Sequence, residues 1–271
     1  MAMCSIESAL RHGKPGDTVV LWTLDDESYG IATHVMHERL DYVKDKTNLL
    51  VCNVGDLNER MFVDTPLYNW TCTGDFCQNN NSNALRLALL YKFGGTYLDM
   101  DIISMRSSAS RVGNLAVGYY YNNTMVWHNN AFMQFRSRHP LMWKIMKTFV
   151  ADFQGNRYGY NGPKLLDRVL YRCMVERMPE CSDISYVSEY DHAPLAWKLA
   201  FKWMNSTEWE DKTKWPGRGA GTHDEGTWDV GGGDTIGTLV SSSTKTRRVL
   251  NRASGATRVD TGCSRKTVRI C

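Results

Sequence analysis

The chain has 271 residues, 42% of them hydrophobic and 11% aromatic, a composition that suits a folded domain of enzyme size. Its net charge of +3 is uneven, with 23 Lys and Arg against 24 Asp and Glu in residues 1–216 and 9 against 5 in residues 217–271; a neutral body excludes a nucleic-acid groove as the main business, because that needs a clustered basic face. No apolar run reaches the roughly 18 residues of a membrane span, and MAMCSIESALRHGK reads as neither signal peptide nor anchor, so no membrane span is expected.

Glu7 to Arg11 reads as the end of a helix, and the turn at Gly13 to Asp17 leads into TVVLWTL at 18–24, a short apolar run with the character of a buried strand. A helix over Ile31 to Leu40 and a strand over Asn48 to Cys52 follow, and this alternation predicts an α/β fold with a largely parallel central sheet. The next helix is expected over Ser82 to Tyr91, with Ser82 as N-cap and the Gly94-Gly95 pair as its stop. AVGYYY at 116–121, TMVWH at 124–128 and AFMQF at 131–135 read as three strands joined by Asn-rich turns. Helices are predicted over Pro140 to Asp152, Gly162 to Arg177 and Ala193 to Met204. Residues 217–271 hold 10 of the 22 glycines and few large apolar side chains, so the division expected is a body over 1–216 and a basic, mostly disordered tail.

The eight cysteines, at 4, 52, 72, 77, 173, 181, 263 and 271, contain no C-x-x-C pair and argue against structural zinc. Their even number suits a disulfide framework whose pairing the spacing leaves open.

Chemistry concentrates in KFGGTYLDMDII at 92–103, where an apolar strand runs straight into Asp99 and Asp101. Residues i and i+2 of a strand share a face, so the two carboxylates are expected to project together at its C-terminal end, where open α/β sheets bind ligands. Such a pair needs compensation by a metal ion, a basic side chain or water. Two hard oxygen ligands suit Mn²⁺ or Mg²⁺ shared with a diphosphate. A two-metal phosphoesterase would want further acids or histidines, and the text around Asp99 offers none.

The run SNALRLALLYKFGGTYLDMDII resembles the glycosyltransferase sugar-binding region that contains the DXD motif, within the lactosylceramide 4-alpha-galactosyltransferase-like group. HNNAFMQFRSRHPLMW at 128–143, GYNGPKLLDRVLYR at 159–172 and CSIESALRHGKPGDTVVL at 4–21 resemble further blocks of that group, so the likeness covers about residues 4–205. The resemblance implies a single domain of GT-A type that transfers a galactose-like hexose from a nucleotide diphosphate sugar to a glycan or glycolipid hydroxyl, with a metal ion and with retention, in the Golgi lumen. It puts the metal on Asp99 and Asp101, with Asp101 the more direct ligand. Asn83 and Arg86 fall on donor-binding positions, Asn129 near the reacting centre, and Asn161 where relatives often carry Gln. Asn161 has a helix-capping alternative. The family's later His-x-Trp-Asn-like segment is nearest to EGTWDVGGG at 225–233, which keeps Trp228 as a donor-side candidate. Met1 stands almost at the first helix, so the family's first strand is expected to be missing. A remnant that binds metal and nucleotide without catalysis is the alternative reading.

Overall fold

The computed structural model describes residues 2–13, 16–39, 48–104, 113–121, 124–188 and 237–241. Helix α1 (Ala2–His12) precedes strand β1 (Thr18–Thr23), and α2 (Asp26–Arg39) leads to β2 (Asn48–Asn53). Asp25 starts α2, its side chain accepting from the Ser28 backbone N–H at 2.7 Å, and Asp26 and Glu27 in the first turn complement the helix dipole. Then come α3 (Cys77–Phe93), β3 (Gly95–Asp99), β4 (Asn114–Tyr121), β5 (Thr124–Phe135), α4 (Pro140–Ala151), α5 (Pro163–Glu176), β6 (Ile184–Ser188) and β7 (Gly237–Ser241).

The seven strands form one sheet in the order β2-β1-β7-β3-β5-β4-β6. Alternation along β1 sends Val19 and Leu21 to one face and Val20 and Trp22 to the other. On the first face they meet Ile6, Ala9 and Leu10 of α1 and Ala32 of α2. On the second lies the larger core, where α3, α4 and α5 bring Leu89, Leu90, Met146, Phe149 and Leu166 against Tyr97 and Met133. The result is an α/β sandwich with helices on both faces.

The sheet is mixed rather than largely parallel. Only β1–β2 and β4–β6 run parallel, and the other four neighbouring pairs are antiparallel. Two residues separate β4 from β5, and a connection that short permits only an antiparallel hairpin. The two segments expected on either side of an Asn129-Asn130 turn are one strand, β5. Between the Ala116–Met133 and Val117–Asn129 pairs its register jumps, leaving Asn130, Ala131 and Phe132 in an enlarged bulge. A local preference of Asn for turns is here spent on a bulge.

Two further expectations change. Helix α3 begins at Cys77, five residues before Ser82, because a Cys72–Cys77 disulfide and a bond from the Phe76 N–H to the Gly155 carbonyl fix its first turn. Within the expected disordered tail, Gly237–Ser241 pairs with both β1 and β3, its Thr-Leu-Val core having the β-branched and apolar character of a strand. The sheet therefore draws on both sides of residue 216. The helix expected over 193–204 lies outside the described residues.

His139 caps α4 from full burial. Its Nδ1 accepts from the Leu141 N–H at 3.1 Å, and its Nε2 lies 3.0 Å from Asp183, which also accepts from Asn114 and lies 3.8 Å from Arg136. Burial pushes the His139 pKa below its ordinary value against the pull of Asp183. Burial would raise Asp183, but the hydrogen bond and charge of His139, the backbone and Arg136 bring it below the usual carboxylate range. For both groups the unfolded chain takes up protons first, so both contributions to stability are present above the unfolded pKa and lost as pH falls. His139 acts below about pH 6.5 and Asp183 below about pH 4. The melting temperature is expected to decline from pH 7 to pH 5, and His139→Asn should flatten that segment of the profile; equal slopes in both proteins would contradict the assignment.

Candidate active site

Helix α3 ends at Gly94 and the chain turns at once into β3, with positive φ at both glycines, 68° at Gly94 and 100° at Gly95. A Cβ on Gly94 would stand 2.5 Å from the Ser137 backbone nitrogen, so the turn needs glycine for space as well. Tyr97 and Leu98 are buried on β3, and Asp99 ends it. Neighbouring pairings stop there, at Asp99–Gly237 and Leu98–Phe132. With no further strand pairing among the described residues, the Ile102 N–H closes a turn onto the Asp99 carbonyl at 3.0 Å. Asp101 therefore sits in a turn, and the two carboxylates are not strand neighbours on one face.

Their surroundings differ. The Tyr97 hydroxyl donates to Asp99 Oδ1 at 2.7 Å, and Arg86 Nη1 lies 3.2 Å from the same carboxylate. Arg86 is 4% exposed, and its guanidinium also donates to the Asn130 carbonyl at 2.8 Å and the Ser82 hydroxyl at 3.1 Å, with Cζ 4.6 Å from the Tyr97 ring centroid. Burial alone would lower the Arg86 pKa, but Asp99, Tyr97 and Asp101 together raise it, so the group stays charged. Burial, reinforced by Asp99, pushes the Tyr97 phenol far above its usual range, keeping it a donor. Asp99 thus has its cation in Arg86. Asp101 is exposed and forms no ion pair among the described residues. Its carboxyl pKa is nonetheless raised, first by water displaced by surrounding protein and then by the charge of Asp99.

Around this pair stand the asparagines. Asn83, one turn before Arg86 on α3, accepts from Asn130 Nδ2 at 2.7 Å, and Gly162 packs so closely on both that a Cβ would lie 2.9 Å from Asn83 Oδ1. Asn129 is half-buried and its Oδ1 accepts from the Ala131 N–H at 2.7 Å, shaping the β5 bulge. Asn161 is buried at 2%. Its amide bonds the backbone of Gln154 through both ends, at 3.0 and 2.8 Å, and reaches Asn80 at 3.0 Å. It neither caps α5, whose N-cap is Gly162, nor faces solvent; its role is to pin the loop before α5. Trp228 lies outside the described residues.

Three contributors escaped sequence reasoning. Tyr97 reads as core, yet its i, i+2 relation to Asp99 on a strand already put both on one side. Asn130 carried no signal and Ser82 read only as a helix N-cap, since the bulge and the earlier start of α3 that aim them arise from tertiary contacts. No cluster of three His, Cys, Asp or Glu suited to a metal occurs among the described residues. Among the described residues a bound cation would meet the two carboxylates, leaving other positions to water and a ligand's oxygens, as is usual for Mg²⁺ and Mn²⁺ at diphosphates.

Comparison with known proteins identifies the family in which this acidic pair and its helix arginine occur. Residues 2–122 match the glycosyltransferase sugar-binding region containing the DXD motif, and residues 134–219 match the alpha 1,4-glycosyltransferase conserved region. The chain is 32% identical to the lactosylceramide 4-alpha-galactosyltransferase of Pongo pygmaeus over 152 residues, covering 53% of this chain and 67% of that protein. It is 28% identical to the Mus musculus protein of the same name over 257 residues, covering 83% and 66%. Against the human alpha-1,4-N-acetylglucosaminyltransferase it is 32% identical over 132 residues, covering 46% and 37%. The chain belongs to this DXD-containing family of lactosylceramide 4-alpha-galactosyltransferase-like glycosyltransferases. It spans 66% of the length of the mouse relative.

Proposed function

We propose that the protein is a metal-dependent hexosyltransferase of GT-A type that moves a galactose-like sugar from a nucleoside diphosphate to a hydroxyl of a glycan or glycolipid. The observation that carries this is the asymmetry of the acidic pair: Asp99 is neutralised by Arg86, while Asp101 keeps an exposed carboxylate that forms no ion pair among the described residues. Asp101, with Asp99 behind it, would hold Mn²⁺ or Mg²⁺ against the diphosphate. When bound, the ion supplies charge neutralisation of the departing diphosphate.

The chain's own residues do the rest. Arg86 and Tyr97 fix the Asp99 carboxylate and so define where the donor sits. Asn83 and Asn129 are the polar groups proposed to meet the donor sugar or the reacting centre, with Trp228 as a donor-side wall. Asn161 acts through the loop it pins. Alpha-linked hexosyl nucleotides and the alpha products in the relatives' names together support retention of configuration. Disulfides at Cys72–Cys77 and Cys173–Cys181 suit an oxidising lumen, which supports a Golgi location. No helix among the described residues is long and apolar enough to cross a membrane.

The test is turnover of a panel of uridine-diphosphate hexoses with a lactoside acceptor, with Mn²⁺ and with chelator. Product with an alpha linkage that chelator abolishes supports the reading. Nucleotide binding without product would instead identify a binding-only protein.

A further inference from the structure

Resting on that reading, we infer that Tyr158 is the acceptor-side aromatic platform, stacking on a neutral sugar ring of the acceptor beside the acidic pair. Tyr158 lies on the loop between α4 and α5, which is held from several directions. Asn161 ties it back to Gln154, the Asp75 N–H bonds Asn156 Oδ1 at 2.9 Å, and the Phe76 N–H bonds the Gly155 carbonyl at 3.2 Å. Gly155 lies so close to Thr73 that a Cβ would collide with its carbonyl oxygen. Four residues beyond Tyr158, Gly162 abuts Asn83 and Asn130, the latter bonded to the arginine that holds Asp99. The loop is therefore a fixed wall of the site.

Its other two aromatic residues are already committed, Phe153 being packed against Trp70 and Phe149. Tyr160 donates to Asp152 at 3.0 Å and lies under Arg168, whose Cζ is 3.9 Å from the ring centroid. Tyr158 instead leans edge-on against Phe76 at 5.5 Å and leaves 39% of its surface exposed. After burial, the charges of Asp99 and Asp101 are what raise its phenol pKa, which places the ring within electrostatic reach of both acids. A flat face that feels the charge of two carboxylates disfavours anions and suits the C–H face of an uncharged sugar.

Position selects the acceptor over the nucleotide. Among the described residues the parallel pair on the α1/α2 side of β3 is β1–β2, and α/β sheets place nucleotides at such carboxyl ends. The Tyr158 loop joins α4, which packs on α3, to α5, which packs on β5, so it lies on the face of the sheet opposite α1 and α2, where the donor sugar held near Asn83 would meet its acceptor.

Initial rates of the full chain with uridine-diphosphate galactose, Mn²⁺ and a short-chain alkyl lactoside test this. Tyr158→Ala is expected to raise the lactoside KM by about 10-fold, with the donor KM and the calorimetric affinity for uridine diphosphate unchanged. Tyr158→Trp should restore the lactoside KM. An unchanged lactoside KM, a parallel rise in the donor KM, or no rescue by Trp would each overturn the platform. A wild-type chain that binds no nucleotide would overturn the donor reading itself, and that failure shows before any variant is made.

Discussion

Asp101→Asn is expected to cut hexose transfer by about 100-fold or more, because even outer-shell partners of a metal cost 10–100-fold when lost. Folding should hardly notice. The side chain is exposed and forms no ion pair among the described residues, and exposed substitutions of this kind usually stay within about 0.5 kcal/mol. Removing its charge also relieves the repulsion from Asp99 that raises its pKa. Steady-state rates beside a denaturant melt make the check. Lost activity in a protein as stable as wild type is the expected pair of results, and retained activity would remove Asp101 from the site.

Arg86→Ala should fail on both counts. The guanidinium is buried and satisfies Asp99, the Asn130 carbonyl and both oxygens of Ser82 at once. Its removal strands those acceptors, and breaking a buried charged network costs on the order of 3 kcal/mol. Arg86→Lys should recover little, since one ammonium cannot reproduce a fork that bonds in several directions. Urea denaturation should show the loss in both variants, and donor turnover should fall with it. An Arg86→Ala protein of wild-type stability would mean that Asp99 needs no cation.

These two expectations also mark what the sequence discloses. The Gly94-Gly95 stop and the strand after it, ending at Asp99, were legible, because glycine conformation and strand patterning are local properties. The division of labour between Asp99 and Asp101 was not. It depends on Arg86 crossing from α3 to β3 and on β3 losing its partners at Asp99, and both are long-range facts. Asn129 and Asn130 read as a turn by residue preference, whereas pairing with β4 stretches them into a bulge that hands a carbonyl to Arg86. The start of α3 was misplaced because CQNNN has weak helical propensity, and a disulfide with a loop contact overrides it. The antiparallel centre of the sheet was hidden for a similar reason. Helix–strand alternation in the first half suggests parallel pairing, but β7 enters between β1 and β3 from far along the chain.

The central claim is a metal-dependent diphosphate site on the turn that follows β3. Calorimetric titration of uridine diphosphate into the protein, with and without Mn²⁺, tests it most directly. The account predicts binding that requires the metal and disappears in Asp101→Asn. Equal heats with and without Mn²⁺, or no binding by a cooperatively melting protein, would contradict it.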